Sequence, residues 1–158
     1  MYRSPSPLPE AGRQAIAAAL DARLADGLDL WSQIKVAHWN IKGPGFTALH
    51  PLFDTFATGL AAINDELAER AATLGAQVHG TARQVARTSQ LEEYPPETSR
   101  DLDHVRLLAD RIESYLGVVR GTRELAGTHH DQDSVDLLTR IILEFEKHAW
   151  FLRASLSV

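Results

Sequence analysis

The sequence predicts an all-α protein, a four-helix bundle with a short helix in the long connection between its second and third helices. Three observations carry this expectation. Four long stretches repeat large apolar residues every three or four positions, the spacing of one buried helix face. No stretch alternates apolar and polar residues as a half-buried strand does. Glycine, proline and asparagine punctuate the boundaries between the stretches. Amphipathic helices without a sheet bury their apolar faces against one another, which makes a bundle.

Residues 1–9 (MYRSPSPLP) are rich in proline and serine and read as a loose arm, leaving 10–158 as one bundle domain. A first helix is expected from about Glu10 to His38, with Ile16, Leu20, Leu24, Leu28, Trp31 and Ile34 buried. Asn40-Ile-Lys-Gly43-Pro44 is turn chemistry. The second helix is expected from about Thr47 to Leu74, stopped by Gly75, with Pro51 late for a first-turn proline. In the connection 76–97, a short helix is expected around Thr81–Thr88 and Pro95-Pro96 closes the segment. Thr98 with Asp101 has the spacing of a capping box opening the third helix, whose buried side is Leu102, Val105, Leu108, Ile112, Leu116 and Val119. Gly127 to Gln132 makes a turn, and the fourth helix starts near Asp133 or Ser134, with Asp133 as its cap. That helix carries Leu138, Ile141, Phe145 and Leu152.

A chain of 158 residues is long enough for one sizeable core, and 44% apolar with 23% charged residues is ordinary for a globular domain. No apolar run is long enough to span a membrane and no signal-peptide pattern opens the chain, so a cytoplasmic location is expected. The absence of cysteine excludes disulfides and thiolate metal sites. A net charge of −5 argues against a surface devoted to nucleic acid.

The chemistry lies on the second helix. His50, Asp54, Asp65 and Glu69 share one face of it, with His38 just upstream. At ~100° per residue, with Asp54 at zero, His50 falls near −40°, Asp65 near +20° and Glu69 near +60°. Leu49, Leu52, Phe56, Leu60, Ile63, Leu67 and Leu74 fall at roughly 160–240° on the same wheel. The polar set therefore faces away from the helix's own core. It is either a solvated face on which charges align or a ligand set, and imidazole with carboxylate suits Fe(II), Mn(II) or Zn(II). His50/Asp54 and Asp65/Glu69 form two pairs whose midpoints lie roughly 22 Å apart along the axis, too far for one ion. Each pair is then a half-site. An antiparallel copy of the helix crossing near residues 59–60, on Ala57, Thr58, Ala61 and Ala62, would complete two equivalent sites. Glu-x-x-His, the signature of an intrabundle di-iron site, does not occur; Asp101-x-x-His104 is the nearest approach.

The run from Lys35 through His38, Trp39, Asn40, Gly43 and Phe46 to His50, followed by Asp54 and by Asp65-Glu-Leu-Ala-Glu69-Arg70, closely resembles the Dps family, the mini-ferritins also described as DNA-binding proteins from starved cells. The resemblance runs from about Leu28 to Leu156. It implies a ferritin-like bundle, a hollow shell of twelve subunits, and the short helix at a dimer interface. It also implies a ferroxidase centre at the two-fold interface, with His38, His50 and Asp54 from one subunit and Asp65 and Glu69 from its neighbour. On that reading Fe(II) is oxidised, preferentially by hydrogen peroxide, and stored inside as Fe(III) mineral, which protects the cell from oxidative damage. Trp39 would shield the site, donate electrons or pack at the helix end. His79 would be an extra ligand shifting preference toward zinc, and manganese would also fit. Asp131 and Asp136 near the start of the fourth helix would line an acidic three-fold pore. His148 would be structural or at a subunit contact, and His129 and His130 solvated. The alternatives are a nucleoid protein coating DNA with the same shell, or a zinc- or manganese-occupied cage of slow ferroxidase activity. Arg3 is the arm's single basic residue, so DNA binding is expected to be weak or absent at physiological salt.

Overall fold

The computed structural model describes residues 1–156. Five helices follow in order: α1 (Glu10–Asn40), α2 (Phe46–Thr73), α3 (Ala82–Thr88), α4 (Asp101–Thr128) and α5 (Gln132–Leu156). Short connections fold α1 with α2 and α4 with α5 into helical hairpins. The two hairpins pack into one bundle, and the long crossover between α2 and α4 lays α3 against α1. The all-α bundle with an extra short helix stands as the periodicity predicts.

The core runs the length of the bundle. Ile16, Leu20, Leu30 and Ile34 of α1 meet Phe53, Phe56, Leu60 and Leu67 of α2, Leu108, Ile112 and Tyr115 of α4, and Leu138, Ile141, Phe145 and Leu152 of α5. Three expected core residues lie elsewhere. Leu28 and Trp31 line a groove against α3 with Val85 and Leu91, so the crossover and not the bundle meets that side of α1; Leu30 fills the core instead. Leu102 is exposed because α4 begins only at Asp101 and His104 takes the inward position.

The helix ends show local rules and their limits. Gly75 stops α2 as expected, at φ +97°, which favours glycine. The Ala76 N–H donates to the Ala71 carbonyl and the Gly75 N–H to Ala72, a Schellman motif. His130 plays the same part after α4 at φ 58°, so the turn is shorter than Gly127 to Gln132 and α4 runs on to Thr128. The Thr98–Asp101 capping box does not form. Asp101 instead accepts the Gly45 N–H at 2.7 Å and the Leu102 N–H at 2.9 Å, tying the start of α2 to the start of α4. Those two backbone donors hold its carboxyl below the usual carboxylate range. The short helix does carry a capping box, between Thr81 and Gln84. Pro51 sits in the second turn of α2, because the helix opens at Phe46 behind a turn through Gly43 at φ +138°.

The N-terminal arm is not loose in this structure. The Tyr2 N–H donates to the Gly75 carbonyl at 3.0 Å, the Ser4 hydroxyl to the Thr73 carbonyl at 2.6 Å, and Leu8 packs on the core. The free carbonyls at the end of α2 give the arm its seat.

His148 is a core residue. It stacks on Phe56 at 4.0 Å and meets Phe145 edge-on at 5.2 Å. Burial first, and neighbouring Lys147 second, push its imidazole down from 6.5 to about 4. The unfolded chain binds a proton there near pH 6.5 and the folded chain only near 4, so stability falls as pH falls through that window and levels off below it. The thermal midpoint is expected to drop from pH 6.5 to 4, and to drop less in His148→Phe. An unchanged slope in that variant would assign the acid sensitivity to other groups.

Candidate metal centre at the end of the first helical hairpin

His38 lies in the last turn of α1 and His50 in the second turn of α2, and the five-residue connection 41–45 brings the two rings into a stack with centroids 3.8 Å apart. Their Nδ1 atoms are engaged reciprocally. His38 Nδ1 lies 2.9 Å from the His50 carbonyl and His50 Nδ1 lies 2.9 Å from the His38 carbonyl. A carbonyl only accepts, so each Nδ1 must carry the hydrogen and donate. In the neutral imidazole both Nε2 atoms then carry the lone pair, the form in which the ring binds a metal. The hairpin itself fixes the tautomer of both residues.

Asp54 follows His50 by one turn on the same face and is exposed. Its carboxylate accepts from Lys35 Nζ at 2.7 Å, and that ammonium holds the Asp54 carboxyl below its usual range. Asp65 and Glu69 are exposed farther along α2. Among the described residues no three His, Asp or Glu side chains of one chain converge into a metal-holding group. A single copy thus brings His38, His50 and Asp54 to one end of the α2 face and leaves Asp65 and Glu69 toward the other. Between the pairs, Thr58, Ala61 and Ala62 are exposed, as the crossing requires. Ala57 is not available to it, being 2% exposed at the edge of the stripe and enclosed by its own bundle.

Trp39 does not pack at the helix end. It is 66% exposed, with Lys35 Nζ 5.8 Å from its ring centroid. Phe46, 44% exposed, leans on His50 with ring centroids 4.9 Å apart. One exposed ring thus rests on the paired imidazoles and a second stands beside Lys35. Lys35 announces no role in the sequence, because it acts on a residue of the other helix, whereas Phe46 meets His50 one turn along its own helix.

The remaining candidates separate clearly. His79 is drawn to α1: its Nδ1 lies 2.9 Å from Asp21 Oδ2 and its N–H donates to Asp21 Oδ1 at 2.8 Å. Asp131 is no pore residue. It is 3% exposed, accepts from Arg70 at 2.6 Å and from the Ser134 hydroxyl at 2.5 Å, and takes the Ser134 N–H at the start of α5. It is the cap expected of Asp133, which stands exposed beside it. Asp136 is exposed and accepts from Gln132 Nε2 at 2.6 Å. His104 is buried, with Nδ1 hydrogen-bonded to the Tyr94 hydroxyl at 2.6 Å.

Comparison with known proteins agrees with this fold. Residues 17–158 match the model of the ferritin-like domain. The chain is 32% identical over 153 residues, 97% of its length and 94% of the relative's, to the DNA protection during starvation protein of Agrobacterium fabrum. Among solved structures, Mycobacterium smegmatis Dps superposes with a TM-score of 0.95 at 29% identity, covering 99% of this chain and 96% of that one. The Dps protein of Vibrio cholerae O1, described as a member of a broad superfamily of ferritin-like diiron-carboxylate proteins, superposes at 0.91 and 29% identity over 99% of both chains. A bundle built this way, matched along nearly its whole length, belongs to the Dps family of ferritin-like proteins.

Proposed function

We propose that this chain is a ferroxidase and iron-storage subunit that assembles into a hollow dodecamer. His38, His50 and Asp54 of one copy, with Asp65 and Glu69 of a second, bind Fe(II) as substrate at each two-fold interface. The observation that carries this reading is the reciprocal histidine clamp. It leaves two Nε2 lone pairs at the end of α2 that carries Asp54, next to an exposed stripe of small residues and carboxylates. Antiparallel pairing of two α2 helices supplies the missing carboxylates, since each copy carries both halves.

Hydrogen peroxide is the proposed oxidant. One peroxide takes one electron from each of two Fe(II) ions; its O–O bond breaks and two protons complete two waters. Paired delivery of electrons avoids the hydroxyl radical that a single Fe(II) would release. Fe(III) then hydrolyses and accumulates as mineral inside the shell. Asp136 is the proposed acidic residue drawing Fe(II) inward through a three-fold pore. Protection of DNA then follows from removing iron and peroxide together, in the cytoplasm, and needs no tight contact with DNA. With Arg3 alone on the arm, DNA binding should be weak or absent at physiological salt. No helix among the described residues is long and apolar enough to cross a membrane.

The test compares Fe(II) oxidation by stoichiometric peroxide and by air, on protein whose mass is measured by light scattering. Fast peroxide-driven oxidation in a particle of about twelve subunits is expected. A monomer would remove the interface site. Equally slow oxidation by both oxidants would favour a cage whose site is held by zinc or manganese, which the same donors accept.

A further inference from the structure

Lys35 stands within the proposed site but is no metal ligand. It precedes His38 by three residues and so shares its face of α1. Its Nζ lies 2.7 Å from Asp54 Oδ1, and its side chain is only 18% exposed. A second seat lies beside it, the exposed Trp39 ring, whose centroid is 5.8 Å from the same nitrogen. A protonated amine cannot coordinate a metal, and it occupies the oxygen that a metal would need.

We infer that Lys35 is a tethered counter-ion that holds the Asp54 carboxylate until a divalent cation displaces it toward Trp39. The inference rests on the site reading given above. Asp54 of one copy and Asp65 and Glu69 of another bring three carboxylates together at a metal-free interface, and like charges so placed repel. The Lys35 ammonium neutralises one of them, so copies can pair before metal arrives. Once a divalent cation enters, the ion pair must break and the ammonium stays tethered next to another positive charge. Both effects lower the affinity for the cation. A weaker site suits an ion that must pass on to the mineral rather than remain.

The test uses redox-inert Zn(II), titrated calorimetrically into assembled, metal-free wild type, Lys35→Met and Lys35→Arg, each with and without His50→Ala. Methionine keeps the length of the side chain and removes the charge. Lys35→Met should bind Zn(II) about tenfold more tightly than wild type, a difference of about 1.4 kcal/mol. Lys35→Arg, which keeps the charge, should bind no more tightly than wild type. His50→Ala should abolish the difference. In low salt without metal, Lys35→Met should also dissociate at higher protein concentration than wild type and re-form when Zn(II) is added. Equal Zn(II) affinity in wild type and Lys35→Met would overturn the counter-ion role while leaving the site intact. Zn(II) binding indifferent to His50→Ala in every background would overturn the site reading itself.

Discussion

Replacing His50 and Asp54 together by alanine is expected to abolish rapid peroxide-driven Fe(II) oxidation while the helical subunit still folds. The two side chains are half-buried and exposed respectively and lie outside the core cluster. What the variant loses is one Nε2 donor, one carboxylate and the ring stacked on His38, while the residue-50 carbonyl that accepts from His38 Nδ1 remains. Asp65→Ala with Glu69→Ala should be equally damaging, because those residues complete the site of the other copy. Mixing the two double variants makes the intersubunit geometry testable. In a mixed dimer one site combines two wild-type halves and the other two mutant halves. Random re-pairing of equal amounts should therefore restore about one quarter of the wild-type sites, although neither variant is active alone. Normal oxidation by the His50/Asp54 variant would remove that site assignment. No recovery on mixing, with dimers shown to exchange, would place both halves of the site within one subunit.

Arg70→Met is expected to cost about 3 kcal/mol of stability, the usual result of stranding one member of a buried ion pair. Asp131 is 3% exposed and Arg70 half-buried, and Arg70 also donates to the Ser134 hydroxyl at 2.8 Å. Removing the guanidinium leaves a carboxylate enclosed by the bundle, with the Ser134 hydroxyl and N–H as its remaining donors. Asp131→Asn in the same chain should recover part of the loss, because the stranded group is then neutral. A double-mutant cycle by denaturant unfolding measures the coupling. A cost below about 1 kcal/mol would show that the pair behaves as an exposed one. Arg70 follows Glu69 directly, so the variant should also slow Fe(II) oxidation by loosening the end of α2 that presents Glu69.

The sequence was most readable where a signal is confined to one helix. The apolar rows of α2 and α5 repeat with the helical period, and the structure buries Leu49, Phe56, Leu60, Ile63, Leu67, Leu138, Ile141, Phe145 and Leu152 where that period places them. The short helix near Thr81–Thr88 and the Gly75 stop are set by neighbours within a few residues and were equally plain. Reading failed where a residue's partner lies far along the chain. Thr98 and Asp101 have capping-box spacing, yet Asp101 is claimed by the Gly45 N–H, 56 residues away. Asp131 precedes α5 and Asp133 lies in its first turn, and the choice of cap between them is made by Arg70, 61 residues before Asp131. Trp31 and Leu28 keep helical spacing with the core of α1 but face the crossover.

The sequence alone determined that His50, Asp54, Asp65 and Glu69 share an outward face of α2 in two separated pairs. Rotation and rise per residue are fixed by backbone geometry, so spacing in the chain converts directly into angle and distance. Only the tertiary structure decided that His38 and His50 lock each other's Nδ1 atoms, that Lys35 holds Asp54, and that Asp131 is an enclosed cap. Each of these depends on how two helices are turned toward one another. That orientation comes from packing the whole core, and no repeat within a single helix encodes it.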